Sequence, residues 1–217
     1  MFTITQKIIA MIIPTLLAIT LHEAAHAYVA NICGDSTAKV LGRLSINPRR
    51  HIDLMGTIIV PILMAIITKF QFLFGWAKPV PINWTMLRKP RRDMALVALA
   101  GPIANFVMCI FWGVCLKLSL SMSLKTNVYA AFLFLSSQAG IFINLILGVF
   151  NLFPIPPLDG SRVLASILPQ KYSIYLYKIE PFGFLILVLL LVTGVLGNFI
   201  RPLLKTGYSF LNVLFGF

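Results

Sequence analysis

Apolar residues run along this chain in five stretches, at about residues 8–33, 54–74, 94–118, 128–153 and 180–200. A helix that spans the hydrocarbon of a bilayer needs roughly 20 mainly apolar residues. The first, third, fourth and fifth stretches meet that length. The second is weaker. Its clean core runs from Leu54 to Thr68, contains Gly56 and Pro61, and stops at Lys69. A run of that kind reads as re-entrant or interfacial. The following segment, near 75–83, has Pro79 and Pro81 and no helical period, which predicts extended chain, an edge strand or a hairpin. Residues 203–217 are apolar with Lys205, Tyr208 and Asn212 among them, and read as an interfacial helix or a frayed tail. The pattern as a whole predicts an all-α integral membrane protein. It is a polytopic helical bundle of about 4–6 membrane helices with a short re-entrant or β-like segment near 75–83. A single membrane-embedded domain covers 1–217, with a core at about 8–170 and a C-terminal helix and tail at 179–217.

Composition agrees. The chain is 59% apolar and only 11% charged, with a mean hydropathy of +0.93. Soluble domains carry about 25% charged and about 45–50% apolar residues. An ordinary soluble enzyme, a disordered chain and a disulfide-framed secreted domain are therefore excluded. The net charge of +12 brings no basic stripe interleaved with stacking aromatics, so no nucleic-acid partner is expected. Lipid headgroups and membrane orientation account for it better. Lys39, Arg43, Arg49 and Arg50 fall in 34–53. Lys78, Arg88, Lys89, Arg91 and Arg92 fall in 75–93, and Arg162, Lys171 and Lys178 in 154–178. If 54–74 crossed the membrane once, these loops would alternate sides and the bias would vanish. If it dips in and returns, all twelve cations share one side. The positive-inside rule selects that second arrangement, with these loops cytoplasmic and the N-terminus outside.

The start of the chain imitates a signal peptide: Lys7, an apolar run from Ile8 to Leu21, then Ala25-His26-Ala27. The apolar character resumes through Tyr28, Val29 and Ala30, so a retained helix is expected. Cys33, Cys109 and Cys115 match neither a zinc knuckle nor a redox pair, and free thiols are expected.

His22-Glu23-Ala24-Ala25-His26 is an HExxH motif inside the first apolar stretch. Residues four apart share one helix face, so both imidazoles can reach one metal ion. Glu23 is then placed to take a proton from an activated water. The chain has three His and two Glu in all, and ionisable groups buried in hydrocarbon are costly unless they serve a function. A tetrahedral catalytic Zn²⁺ takes three protein ligands, so a third must come from elsewhere. Asp35, Asp53 and Asp93 sit among basic residues and read as solvated or paired loop charges. Asp159 stands apart. In Asn151-Leu-Phe-Pro-Ile-Pro-Pro-Leu-Asp159-Gly160, the prolines end the fourth helix in a rigid bend that presents one carboxylate. Its alternative role is to cap a helix starting near Ser161. His51 reads as structural or solvated. Trp76 and Trp84 have a competing role as interfacial anchors.

These motifs, together with Ala100-Gly-Pro-Ile-Ala-Asn105, resemble the site-2 protease family of intramembrane zinc metalloproteases. Arg43-Leu-Ser-Ile-Asn-Pro-Arg-Arg-His-Ile-Asp53 and Gly75-Trp-Ala-Lys-Pro-Val-Pro81 are similar to its compact prokaryotic branch without a PDZ domain. The resemblance covers roughly 20–170. It implies a zinc metalloendopeptidase with one Zn²⁺ on His22, His26 and Asp159 and with Glu23 as catalytic base. It implies substrate or oxyanion contacts by Asn151 and Asn105, which would otherwise serve as hydrogen-bond glue between helices. It further implies that 75–83 holds substrate as a strand, that the substrates are transmembrane proteins, and that the site opens toward the cytoplasmic side of a prokaryotic inner membrane.

Overall fold

The computed structural model describes residues 2–51, 53–59, 63, 66, 78–122 and 127–217. Among these residues the chain is helical and forms no strand. Helix α1 spans Ile4–Ile32. It starts four residues before the apolar run, because Thr3 and Gln6 form a reciprocal capping box. A single helical turn, α2, covers Thr37–Val40. Helix α3, Pro90–Ser121, opens with proline in its first turn, and Asp93 accepts the Lys89 N–H at 2.7 Å. Helix α4, Val128–Asn151, is capped by the Asn127 side chain, which accepts from the N–H groups of Tyr129 and Ala130. The C-terminal half carries α5 (Asp159–Ile167), α6 (Gln170–Ile179), α7 (Gly183–Val192) and α8 (Val195–Phe215).

Among the described residues, four helical stretches are long and apolar enough to cross a membrane: Ile4–Ile32, Pro90–Ser121, Val128–Asn151 and Gln170–Val192. Their outer faces expose apolar side chains, as Ile8, Ile9, Ile12 and Ile13 do on α1. Such faces are stable only against lipid, so this is an integral membrane protein. Helices α1, α3 and α4 pack on one another pairwise, and α5 lies against α3. One cluster joins Trp112, Leu116, Ile141 and Leu145 to Leu187, Leu196, Ile200 and Leu211 of the later helices. Small residues permit the close approach. The Trp112 ring lies against Gly140, where an added Cβ would come within 2.4 Å of it.

A second cluster, Ala30, Cys33, Leu87, Met94, Val97 and Ala165, ties the end of α1 to the start of α3. The Arg88 N–H also donates to the Cys33 carbonyl at 3.0 Å. The chain therefore leaves α1 and enters α3 at the same end of the bundle, as the arrangement with no net crossing between them requires. The expected dip over 54–74 falls largely outside the described residues, which show a short helical segment at Leu54–Ile59.

Three expectations change. The fifth apolar stretch, 180–200, is not one helix. It breaks at Gly194, whose φ of 74° lies in the left-handed region, and the chain resumes as α8. Residues 203–215 are helical, as one of the two readings expected, but they are not a separate element. They form the latter part of α8, which docks through Leu196, Ile200 and Leu211. The β-like segment near 75–83 is not a strand in its described part, 78–83. Pro79 and Pro81 have no N–H to give a ladder, and the chain is pinned singly: Lys78 N–H to His51 O at 2.9 Å, Val80 N–H to Glu23 Oε2 at 2.8 Å, and Asn83 N–H to Asp35 Oδ2 at 2.7 Å. All three cysteines are free.

Candidate metal centre

The i, i+4 spacing on α1 puts His22 and His26 on the face turned toward α3, where both are buried. Helix α3 passes them at Gly101. A Cβ there would lie 2.4 Å from His26 Nε2 and 2.6 Å from His22 Cε1, so only glycine leaves room for the rings. The bend after α4 delivers Asp159 from the third side. Gly160 lets that bend close, since a Cβ on it would meet the Leu152 carbonyl oxygen at 2.1 Å. Asp159 is the first residue of α5 and the cap position falls on Leu158, so Asp159 does not take the alternative capping role.

Each imidazole is oriented by its Nδ1. His22 Nδ1 lies 2.6 Å from Asn105 Oδ1, and His26 Nδ1 lies 2.7 Å from the Val97 carbonyl oxygen. A carbonyl only accepts, so the proton of His26 is on Nδ1. The Asn105 amide is fixed because its Nδ2 donates to Ala18 O at 3.3 Å and to Asn144 Oδ1 at 2.9 Å. Its oxygen therefore faces His22, whose proton is also on Nδ1. Both Nε2 atoms are left with bare lone pairs.

Those lone pairs point at each other and at a carboxylate. The two Nε2 atoms are 3.1 Å apart, and Asp159 Oδ2 lies 3.2 Å from one and 3.3 Å from the other. Asp159 Oδ2 is buried with no hydrogen-bond donor. Three acceptors at such distances repel one another unless a cation lies between them. Zinc–ligand bonds of about 2.0–2.1 Å in a tetrahedron put the ligand atoms about 3.3–3.4 Å apart. The observed spacings match that edge, and the donor set of two imidazoles and a carboxylate is one zinc uses.

The remaining sequence candidates fall around this trio. Glu23 is half-buried, and its Oε2 accepts the Val80 N–H. Asn105 is wholly buried behind His22. Asn151 is half-buried, with its Nδ2 turned back to Leu147 O at 3.0 Å. His51 stands apart from the trio, with Nε2 against Ser45 O at 2.7 Å. Trp84 lies under the Arg162 guanidinium, which also pairs with Glu180, and Trp76 is outside the described residues.

Three features escaped the sequence reading. Asn144 ends the amide chain that begins at His22, and its Nδ2 donates to Gly140 O at 2.8 Å. An Asn in the middle of the apolar run of α4 was the available signal. Val80 and Val97 act through their backbones and leave no mark in side-chain identity. Asp35 is neither solvated nor a simple loop charge. It is fully buried and accepts from Thr37 N, Thr37 Oγ1 and Asn83 N. Burial raises its carboxyl pKa, the three hydrogen bonds lower it, and the result lies below the usual carboxylate range.

Comparison with known proteins points the same way. Residues 119–193 match Peptidase family M50. YwhC of Bacillus subtilis, provisionally named a zinc metalloprotease, is 36% identical over 208 residues, covering 94% of this chain and 90% of its own length. Rip2 of Mycolicibacterium smegmatis, similarly named, is 30% identical over 198 residues, with 91% and 72% covered. The zinc metalloprotease MJ0392 of Methanocaldococcus jannaschii is 28% identical over 156 residues, 72% of this chain and 33% of that protein. No solved structure matches the chain significantly.

Proposed function

The chain belongs to peptidase family M50 and is a zinc metalloendopeptidase; from that premise we propose that it cuts transmembrane protein substrates within the bilayer, with Glu23 as general base and one Zn²⁺ per chain on His22, His26 and Asp159. The observation that carries this reading is the placement of the trio. Two ligands and the base lie in the latter half of a 29-residue apolar helix, enclosed by two further candidate spans. A soluble substrate has no reason to be met there.

The metal, when bound, supplies Lewis acidity that brings a water's pKa toward about 7 and polarises a peptide carbonyl. The rest falls to the chain's own groups. Val80 N–H holds Glu23 Oε2, leaving Oε1 to take the proton from the attacking water and return it to the leaving amine. Asn105 acts behind His22, keeping the proton on Nδ1 and the ring in line, and not on substrate. Asn151 Nδ2 spends one N–H on Leu147 O and keeps a second for the developing oxyanion. A helical substrate hides its peptide carbonyls in its own hydrogen bonds, so it must unwind locally before attack. The described stretch 78–83 offers such a strand few donors, because Pro79 and Pro81 have none and the N–H groups of Lys78, Val80 and Asn83 are engaged.

The site lies toward the end of the bundle that carries Arg43, Arg49, Arg50, Arg88, Lys89, Arg91 and Arg92. That charge supports a cytoplasmic-facing site in a prokaryotic inner membrane. Glu23→Gln in reconstituted protein tests the chemistry. Zinc content stays at the wild-type level while cleavage of a single-span membrane substrate falls roughly 10²–10⁴-fold. Cleavage near the wild-type rate by that variant refutes the role of Glu23. Efficient cleavage of soluble peptides but of no membrane substrate refutes the intramembrane reading.

A further inference from the structure

At the same end of the bundle as the metal centre, the loop after α2 borders an open hollow of about 360 Å³ lined by Leu41, Gly42, Arg43, Arg49, Arg50 and Lys78. Four of the six lining residues are cations and none is acidic. None of the four is in an ion pair among the described residues. Two of the guanidiniums are held in place by the loop itself, Arg43 by the Arg50 carbonyl and Arg50 by the Gly42 carbonyl. The side chains of Arg49 and Lys78 are exposed. Four like charges around one hollow repel one another, and an arrangement that fixes two of them there without a counter-charge is built for an anion. Arg favours phosphate because its planar fork offers paired donors, and Lys adds a point charge.

We propose that this cavity binds the phosphate of an anionic phospholipid headgroup. The argument for lipid over a soluble anion is location. The loop follows the end of an apolar span, and its neighbours Val40, Leu41 and Ile46 are exposed apolar residues of the kind that sit at a bilayer surface. The site is distinct from the metal trio, but Lys78 joins it to the segment whose Val80 N–H meets Glu23.

The test uses the full chain in detergent, titrated with short-chain phosphatidylglycerol, phosphatidylcholine of the same chain length, or inorganic phosphate, with bound lipid counted by native mass spectrometry. Saturable binding of one phosphatidylglycerol, much tighter than phosphatidylcholine, is expected. Arg49→Gln with Lys78→Gln removes two charges while keeping the hydrogen bonds that shape the loop. At roughly a fivefold loss per cation, this double variant binds phosphatidylglycerol roughly 25-fold more weakly. Arg201→Gln with Lys205→Gln lowers net charge equally on α8 and leaves the affinity unchanged. Equal binding of the two lipids, or equal losses in the two double variants, overturns the site. Inorganic phosphate binding as tightly as phosphatidylglycerol overturns the lipid assignment.

Discussion

Two sides of one helical turn are held in different ways. On one side of α1, His22 and His26 face α3, α4 and the start of α5. There a buried amide, a backbone carbonyl and a carboxylate account for all four ring nitrogens. On the other side, about 100° around the helix, Glu23 meets an irregular segment through a hydrogen bond from the Val80 N–H. The proposed ligands are thus fixed by packed helices with several independent constraints. Glu23, the proposed base, is held from outside its own helix by a short run of chain between two prolines. Under the proposed roles, the difference teaches that holding zinc and using it are separable, and single substitutions are expected to damage either alone.

The largest effect is expected on the ligand side. Gly101→Ala puts a methyl group where two imidazoles pass, 2.4 Å from His26 Nε2. Neither ring can retreat without giving up its Nδ1 hydrogen bond. The helix itself gains from the change, since alanine is about 1 kcal/mol better than glycine in a helix interior. Zinc is therefore lost and activity falls to background while the helical circular dichroism stays intact. Metal analysis of the purified variant checks this, and stoichiometric zinc at wild-type activity would show that the rings are not confined as described.

The same contrast marks what was legible in the sequence. His22, Glu23 and His26 announce themselves because the chain has so few ionisable residues to spend in hydrocarbon. Asp159 follows because three prolines end a helix just before it. The spans of α1, α3 and α4 follow from apolar length alone. The break at Gly194 was hidden because apolar residues flank it on both sides, and hydropathy does not report a left-handed residue. The role of Asp35 was hidden because its partners are mostly backbone N–H groups, which any residue carries. For the same reason nothing in Pro79-Val80-Pro81 pointed to Glu23.

On the ligand side, one step further out, Asn105→Ala removes the acceptor that orients His22. Loss of such an outer partner costs roughly 10–100-fold in metal affinity. The zinc dissociation constant rises by that factor, and kcat at saturating zinc stays close to wild type because the base side is untouched. Competition with a chromogenic chelator measures the first quantity, and unchanged affinity would remove Asn105 from the centre. A fall in kcat that excess zinc does not restore would mean that the two sides are coupled.

The smallest change tests the base side by itself. Val80→Pro deletes one N–H in a place where the chain already runs between prolines, whereas Val80→Ala keeps the N–H and trims the side chain that packs on Ala27, Ala38 and Leu44. A hydrogen bond to a charged group is worth about 1.5–3 kcal/mol. If only part of that hold is felt in the reaction, kcat falls roughly tenfold in the proline variant, with KM and zinc affinity near wild type. The alanine variant loses packing and some thermal stability but keeps its kcat. Equal kcat in the two variants would assign Val80 to packing alone, and Glu23 would then be positioned by α1 without help from the segment beside it.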